Sequence, residues 1–265
     1  MQAWRDPDDS QNPLNWSKQT KWINVLLISS QTMLSSICST ILAVGSLLII
    51  ADFHLDSIYT PNLGVAMYIL GLGLGPLWLG PLSEIYGRRV VYLGSFSLFV
   101  LFNVGCALAP NLAALAVLRL LAGTCGSAGP TLGGASIGDM FLRKDRGRAQ
   151  ALYSLGPTAG PVLGPLIGAY VVNGTKDWRW LMWLMVIAPA VTVLLSFLFL
   201  KETYAPYLLR QKAKKELEAD TNDLDLRPGP LFSRSLLRPF QMLIFAPICS
   251  VMSLYMSMWV NPLSD

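Results

Sequence analysis

The chain has 265 residues, of which 53% are hydrophobic and only 14% charged, with a formal net charge of +4 and a mean hydropathy of +0.47. Soluble domains carry about a quarter charged residues; here the apolar residues instead fall in runs of roughly twenty or more, long enough to cross a hydrocarbon core about 30 Å thick. A soluble enzyme, a nucleic-acid-binding module and a disordered tail are excluded, and the expected class is an all-α, polytopic transmembrane helical bundle embedded in the lipid bilayer.

In chain order, residues 1–21 are polar and lack the charged-then-apolar pattern of a signal peptide, so the first span is expected to act as its own uncleaved insertion signal. Apolar runs follow at 22–50, 61–82, 90–109, 112–140, 149–172, 180–200 and 240–260. They are continuous rather than alternating, which predicts helices and not barrel strands. The first and fourth exceed a minimal span, predicting tilt or overhang. The expected organisation is a cytoplasmic N-terminal segment (1–21), a six-helix bundle (22–200) and a cytoplasmic linker (201–239) with a short surface helix near 208–217. A seventh span (240–260) then opens a second half, followed by a tail (261–265).

Orientation follows from the positive charges. Arg5, Lys18, Lys21, Arg88, Arg89, Arg143, Lys144, Arg146, Arg148 and the eight positive residues between Lys201 and Arg238 make seventeen of the 20, all on one side. Lys176 and Arg179 lie on the other, and Arg119 lies inside a span. The N-terminus is therefore expected in the cytoplasm, and the expected membrane is the plasma membrane.

No ligand spacing for a metal exists among Cys38, Cys106, Cys125, Cys249 and the single His54, and no cofactor is expected. Gly134-Ala-Ser136-Ile-Gly138 fits a hydrolase nucleophile pattern, but His54 falls at the opposite membrane face, so no triad can assemble and no enzyme is expected. Asn173-Gly-Thr175 is a glycosylation sequon in a loop too short for efficient modification.

Three patterns carry more weight. After the second span stands Gly80-Pro-Leu-Ser-Glu84-Ile-Tyr-Gly87-Arg88-Arg89, where Gly80 is expected to let helices approach, Gly87 to permit a tight turn, and the arginines to hold the loop at the membrane face. In the fourth span, Arg119, Gly123, Gly126, Pro130 and Gly133 recur at three- and four-residue steps and predict one stripe. A central Arg costs about 2.5–3.5 kcal/mol on the insertion scale and calls for a watery cavity, carbonyls or an acidic partner. The fifth span carries Gly156, Gly160, Pro161, Gly164, Pro165 and Gly168, a smooth face for close helix contact with backbone hydrogen bonding loosened by proline. Spans two and five are thus the Gly/Pro-rich ones in two triplets, the arrangement of an inverted repeat.

Together these motifs resemble the major facilitator superfamily, and in particular its fungal drug:proton antiporters. Lys201-Glu202-Thr-Tyr-Ala-Pro206 is similar to the Pro-Glu-Thr-Tyr-Ala-Pro run of that group. Asn12-Pro-Leu-Asn-Trp16 is similar to the element that precedes its first span, and Arg238-Pro-Phe240 also matches. The resemblance implies two six-helix halves around a central pathway, of which this chain would hold the first half plus one helix. It implies export of small hydrophobic compounds such as drugs, toxins or secondary metabolites by alternating access, with protons as coupling ion. It also implies that Glu84 meets a helix N-terminus of the second half, that Arg119 lines the cavity and influences proton exchange, and that the fifth-span glycines are of antiporter type.

Asp139 is expected to pair with Arg88 or Arg89, and Glu202 with the Arg146–Arg148 loop, as a clamp on the cytoplasmic side. Asn24, Gln31, Ser35 and Ser39 form a polar stripe that either lines the substrate cavity or makes a polar contact between helices. Asp52, Glu84 and Asp139 all sit at span ends, so proton coupling rests on the resemblance alone. A truncated, non-transporting product, a regulator of a full-length transporter and a sugar importer of the same fold are the alternatives; a partner chain would complete the pathway.

Overall fold

The computed structural model describes residues 9, 12–54 and 62–220. The predicted seventh span, the tail, the Arg238-Pro-Phe240 match and the linker beyond residue 220 lie outside the described residues. Nine α-helices occur among those described: α1 (Lys18–Val44), α2 (Ser46–Phe53), α3 (Asn62–Tyr86), α4 (Arg88–Ala107), α5 (Leu112–Gly126), α6 (Ala128–Met140), α7 (Arg143–Thr175), α8 (Arg179–Phe199) and α9 (Ala205–Asp220). With α5 and α6 taken as one span, six are long and apolar enough to cross a membrane.

The two longest apolar runs are both broken. The first run splits at Gly45, whose backbone N–H turns back to Leu42 O and Ala43 O, so that α2 departs from α1. The fourth run splits at Ser127, which caps α5 and starts α6. The fifth run begins earlier than its apolar residues do: α7 starts at Arg143, and its 33 residues span about 50 Å at 1.5 Å per residue, well beyond the hydrocarbon thickness. The linker helix is also longer than expected, 205–220 instead of 208–217.

The helices pair in a pattern with internal symmetry. The closest pairs are α1 with α7 and α3 with α5, followed by α4 with α5, α4 with α8 and α1 with α8. Numbered as spans, these are one–five, two–four, three–four, three–six and one–six. Exchanging the first triplet of spans for the second turns two–four into five–one and three–four into six–one, and leaves three–six unchanged. The repeat is therefore written in the packing, and its two Gly/Pro-rich members, α3 and α7, are equally the least buried of the spans.

Small residues make both close pairs. A Cβ at Gly71 would strike Leu120 O, and one at Gly123 would strike Tyr68 O, so α3 and α5 meet backbone to backbone. On α7, Gly156, Gly160, Gly164 and Gly168 are all buried against Ser29, Ser36, Thr40 and Ile41 of α1. Pro161 has no N–H, so the carbonyl of Pro157 loses its helical donor; Ser36 Oγ donates to that carbonyl at 3.2 Å. Gly80 differs from its expected role, because a Cβ there would meet nothing among the described residues.

Candidate functional site

One end of the bundle gathers the α3–α4 turn, the α6–α7 turn and the α8–α9 link. Gly87 closes α3 at φ 85°, a left-handed conformation open to glycine at little cost. A side chain there would also meet Glu202 Oε2 at 2.5 Å. Beyond this turn the first two N–H groups of α4 have no helical acceptor. Arg88 N–H donates to Glu202 Oε1 and Arg89 N–H to Glu202 Oε2, both at 2.9 Å. Glu202 Oε1 accepts a third bond from Tyr204 N–H at 2.9 Å, so one carboxylate caps α4 and fixes the chain that leads into α9. Its negative charge sits where the α4 macrodipole favours it.

The side chain of Arg88 turns inward. It forms an ion pair with Asp139 at 3.0 Å and donates to Leu132 O at 3.3 Å and Ser136 Oγ at 3.2 Å. It also lies over the Tyr204 ring, 5.4 Å from the centroid. Burial pushes the Tyr204 phenol above its usual pKa, reinforced by Glu84 and opposed by Arg88. Arg89 points the other way and donates to Phe197 O, in the last turn of α8, at 3.1 Å.

The structure thus selects Arg88 over Arg89 for Asp139, and it reassigns Glu202. Glu202 seats on the α4 N-terminus and not on the Arg146–Arg148 loop, since two consecutive backbone N–H groups without helical acceptors donate to its two carboxylate oxygens. Arg146 binds Gly138 O at 2.7 Å, Arg148 is exposed, and Glu84 is exposed on α3.

Arg119 is fully buried between α1, α3 and α5, and does not stand on an open face. Its Nη1 donates to Cys38 O at 3.0 Å and lies 3.3 Å from Cys38 Sγ; the guanidinium lies 5.5 Å from the Tyr68 ring centroid. Its Nε and Nη2 have no acceptor among the described residues. The carbonyl of Cys38 and the face of Tyr68 supply part of the compensation that a mid-span cation demands, with no carboxylate among the described residues in contact.

The polar stripe of α1 is drawn into helix contacts. Asn24 is buried, donating to Thr20 O at 2.7 Å and accepting Lys201 N–H at 3.0 Å. Gln31 is buried and donates to Ser196 Oγ on α8 at 2.9 Å. Ser35 is buried against Tyr68, whose hydroxyl donates to Ser35 O at 2.9 Å. Ser39 is half-buried and bonds within α1. Gln31 and Ser35 thus find partners on α8 and α3, and Asn24 finds its partners in its own turn and on the link after α8.

Two further clusters join residues whose partners the sequence does not predict. At the opposite end, Asp52 Oδ2 accepts from Trp178 Nε1 at 3.1 Å and pairs with Arg179 at 3.2 Å, tying α2 to the start of α8. The 3₁₀ turn Pro13–Asn15 is capped by the side chain of Asn12 and packs beside α6. The Asn12–Trp16 resemblance marks this segment in the sequence but does not predict its turn or its cap.

Comparison with known proteins places this geometry. The sequence profile of the Major Facilitator Superfamily matches residues 28–264. The chain is 41% identical over 262 residues to the MFS transporter cpaT of Aspergillus oryzae, covering 96% of this chain and 52% of that protein. It is 37% identical over 260 residues to the efflux pump radE of Floropilus chiversii, covering 95% and 48% respectively. The fold is similar to the xylose transporter XylE from E. coli in an inward-open conformation, with a TM-score of 0.62 at 16% identity, covering 84% of this chain and 56% of that one. The chain spans about half the length of the curated relatives it matches.

Proposed function

Because this chain belongs to the major facilitator superfamily, we propose that it forms the first half of an exporter of small hydrophobic compounds, such as toxins or secondary metabolites, coupled to protons and working by alternating access without covalent chemistry. In this reading residues 1–21 and the 201–239 linker face the cytoplasm of a plasma-membrane protein, 240–260 begin the second half, and that half or a partner chain completes the pathway. Arg119 acts from inside the half on the coupling step. The Glu202–Arg88–Asp139 network holds the cytoplasmic end, and Glu84, exposed on α3, is left to meet the second half.

The observation that carries the reading is the contact of α7 with α1. Each glycine of the antiporter-type motif faces α1, and the carbonyl released by Pro161 is taken up by Ser36. That helix is both tightly seated and loosened in its own hydrogen bonding, which suits an element that must shift while remaining packed. The test is efflux of a fluorescent lipophilic dye from proteoliposomes under an imposed pH gradient. The 265-residue chain would be reconstituted together with the second half of the A. oryzae relative. Gradient-driven efflux that is lost on Arg119→Gln supports the proposal; efflux indifferent to the gradient removes proton coupling, and no efflux with both halves present removes the exporter reading.

A further inference from the structure

The N-terminal turn and the linker helix touch at a point that the clamp does not use. Asp9 O accepts Asn12 N–H at 3.0 Å and Asn15 Nδ2 at 3.1 Å, so the backbone of Asp9 is pinned over the turn. Its carboxylate, mostly buried, pairs with Lys212 Nζ of α9 at 2.6 Å. The turn itself is anchored to the bundle: Asn12 and Pro13 are buried, and Lys21 Nζ of α1 donates to Leu14 O at 2.7 Å. Lys201 lies over the Trp16 ring at 5.8 Å.

Among the described residues α9 also meets α3, with Tyr207 beside Gly87, and a helix of this length has marginal stability by itself in water. Its first turn is continuous with Glu202, because Tyr204 N–H bonds to Glu202 Oε1 and Leu208 N–H to Tyr204 O. Lys212 lies seven residues beyond Ala205, roughly 10 Å along a stiff rod. A tether at Lys212 therefore limits where the rod, and the carboxylate at its foot, can go.

We propose that Asp9 and Lys212 are positioning residues: the N-terminal turn straps α9 to the bundle and so holds Glu202 on the N-terminus of α4. The inference rests on the clamp reading of Glu202. Releasing the strap lets α9 swing, withdraws Glu202 from Arg88 and Arg89, and loosens the end of the bundle that those residues hold.

Amide hydrogen exchange of the detergent-solubilised 265-residue chain tests this at Arg88 and Arg89, whose N–H groups bind Glu202 but touch neither Asp9 nor Lys212. Asp9→Lys and Lys212→Asp are each expected to speed exchange at Arg88 and Arg89 roughly fivefold, the ratio that corresponds to about 1 kcal/mol. The double variant, with the charges exchanged, is expected to return to the wild-type rate. Wild-type exchange in both single variants, or no recovery in the double, overturns the strap. Glu202→Gln is the separate control: unchanged exchange there would overturn the clamp reading itself, whereas faster exchange with unresponsive strap variants overturns the strap alone. No transport is needed for either result.

Discussion

Glu202 shows how one side chain can stand in for a helical turn. Its two oxygens satisfy consecutive N–H groups of α4, and caps of this kind are worth about 0.5–2 kcal/mol. Glu202→Ala is expected to lower the stability of the chain by about 1–2 kcal/mol, read as a lower thermal midpoint, while Arg148→Ala, at an exposed position, leaves it unchanged. Equal losses would contradict the assignment. Arg119 makes the opposite case, a buried cation with two nitrogens unmatched among the described residues. A guanidinium cannot shed its proton, so an acid placed beside it should gain. Cys38→Asp, at the Sγ position 3.3 Å from Nη1, is expected to stabilise by on the order of 1–3 kcal/mol, the worth of a hydrogen bond to a charged group. A lower thermal midpoint for that variant would show that Arg119 is already compensated. The motifs brought attention to Arg88, Asp139 and Arg119 because charges at span ends or inside spans are conspicuous in a sequence. The true seat of Glu202 was not legible, since its partners are backbone N–H groups that belong to every residue alike. The stripe from Asn24 to Ser39 gave the face but not the neighbour: periodicity fixes which residues share a side of α1 and says nothing of whether α8 or a cavity lies opposite.

At the scale of helices, each of the six apolar runs that fall among the described residues coincides with a helical span, since unbroken hydrophobicity over about twenty residues has few other solutions in a bilayer. Their interruptions were hidden. Gly45 and Ser127 break helices inside runs that look continuous, because the backbone there obeys the space between neighbours: at Gly45 a Cβ would lie 3.0 Å from Leu181 Cδ1 and 3.1 Å from Trp178 Cβ. The extension of α7 to Arg143 was missed for the converse reason, as its first turns are polar and carry no hydrophobic signal. Glycines within α7 separate packing from propensity. Gly164→Ala places a methyl against Thr40 Oγ1 and Ile37 O and is expected to destabilise by about 1–3 kcal/mol through overpacking. Gly147→Ala, where a Cβ would meet nothing within 4 Å, is expected to stabilise by roughly 0.5–1 kcal/mol through helix propensity. Thermal or denaturant midpoints of the two variants should move in opposite directions; a shift of the same sign would mean that α7 is not seated on α1 by its glycines.

The molecule as a whole is built by repetition, and the repetition says where its unused surface lies. Exchanging triplets of spans maps the α3–α5 pair onto α7–α1, so α3 and α7 occupy equivalent positions and leave equivalent faces uncovered. The sequence hinted at this through glycine and proline in spans two and five, but side chains differ too much between the triplets for the relation to be read residue by residue. On α7 the open face carries Leu155, Val162, Leu166 and Tyr170, exposed by 62%, 71%, 67% and 84%. Lipid could cover such a face as well as protein does, since between apolar helices in a bilayer shape and not hydrophobicity decides association. The two coverings respond differently to bulk. A larger apolar side chain costs nothing against fluid lipid but prevents close packing against a second set of helices. Leu166→Trp is therefore expected to leave the thermal midpoint of the 265-residue chain unchanged and to abolish dye efflux when that chain is combined with the second half of the A. oryzae relative. Normal efflux from the tryptophan variant would place lipid on this face and require the second half to dock elsewhere. A lowered midpoint in the chain by itself would mean instead that the face is already occupied within the half.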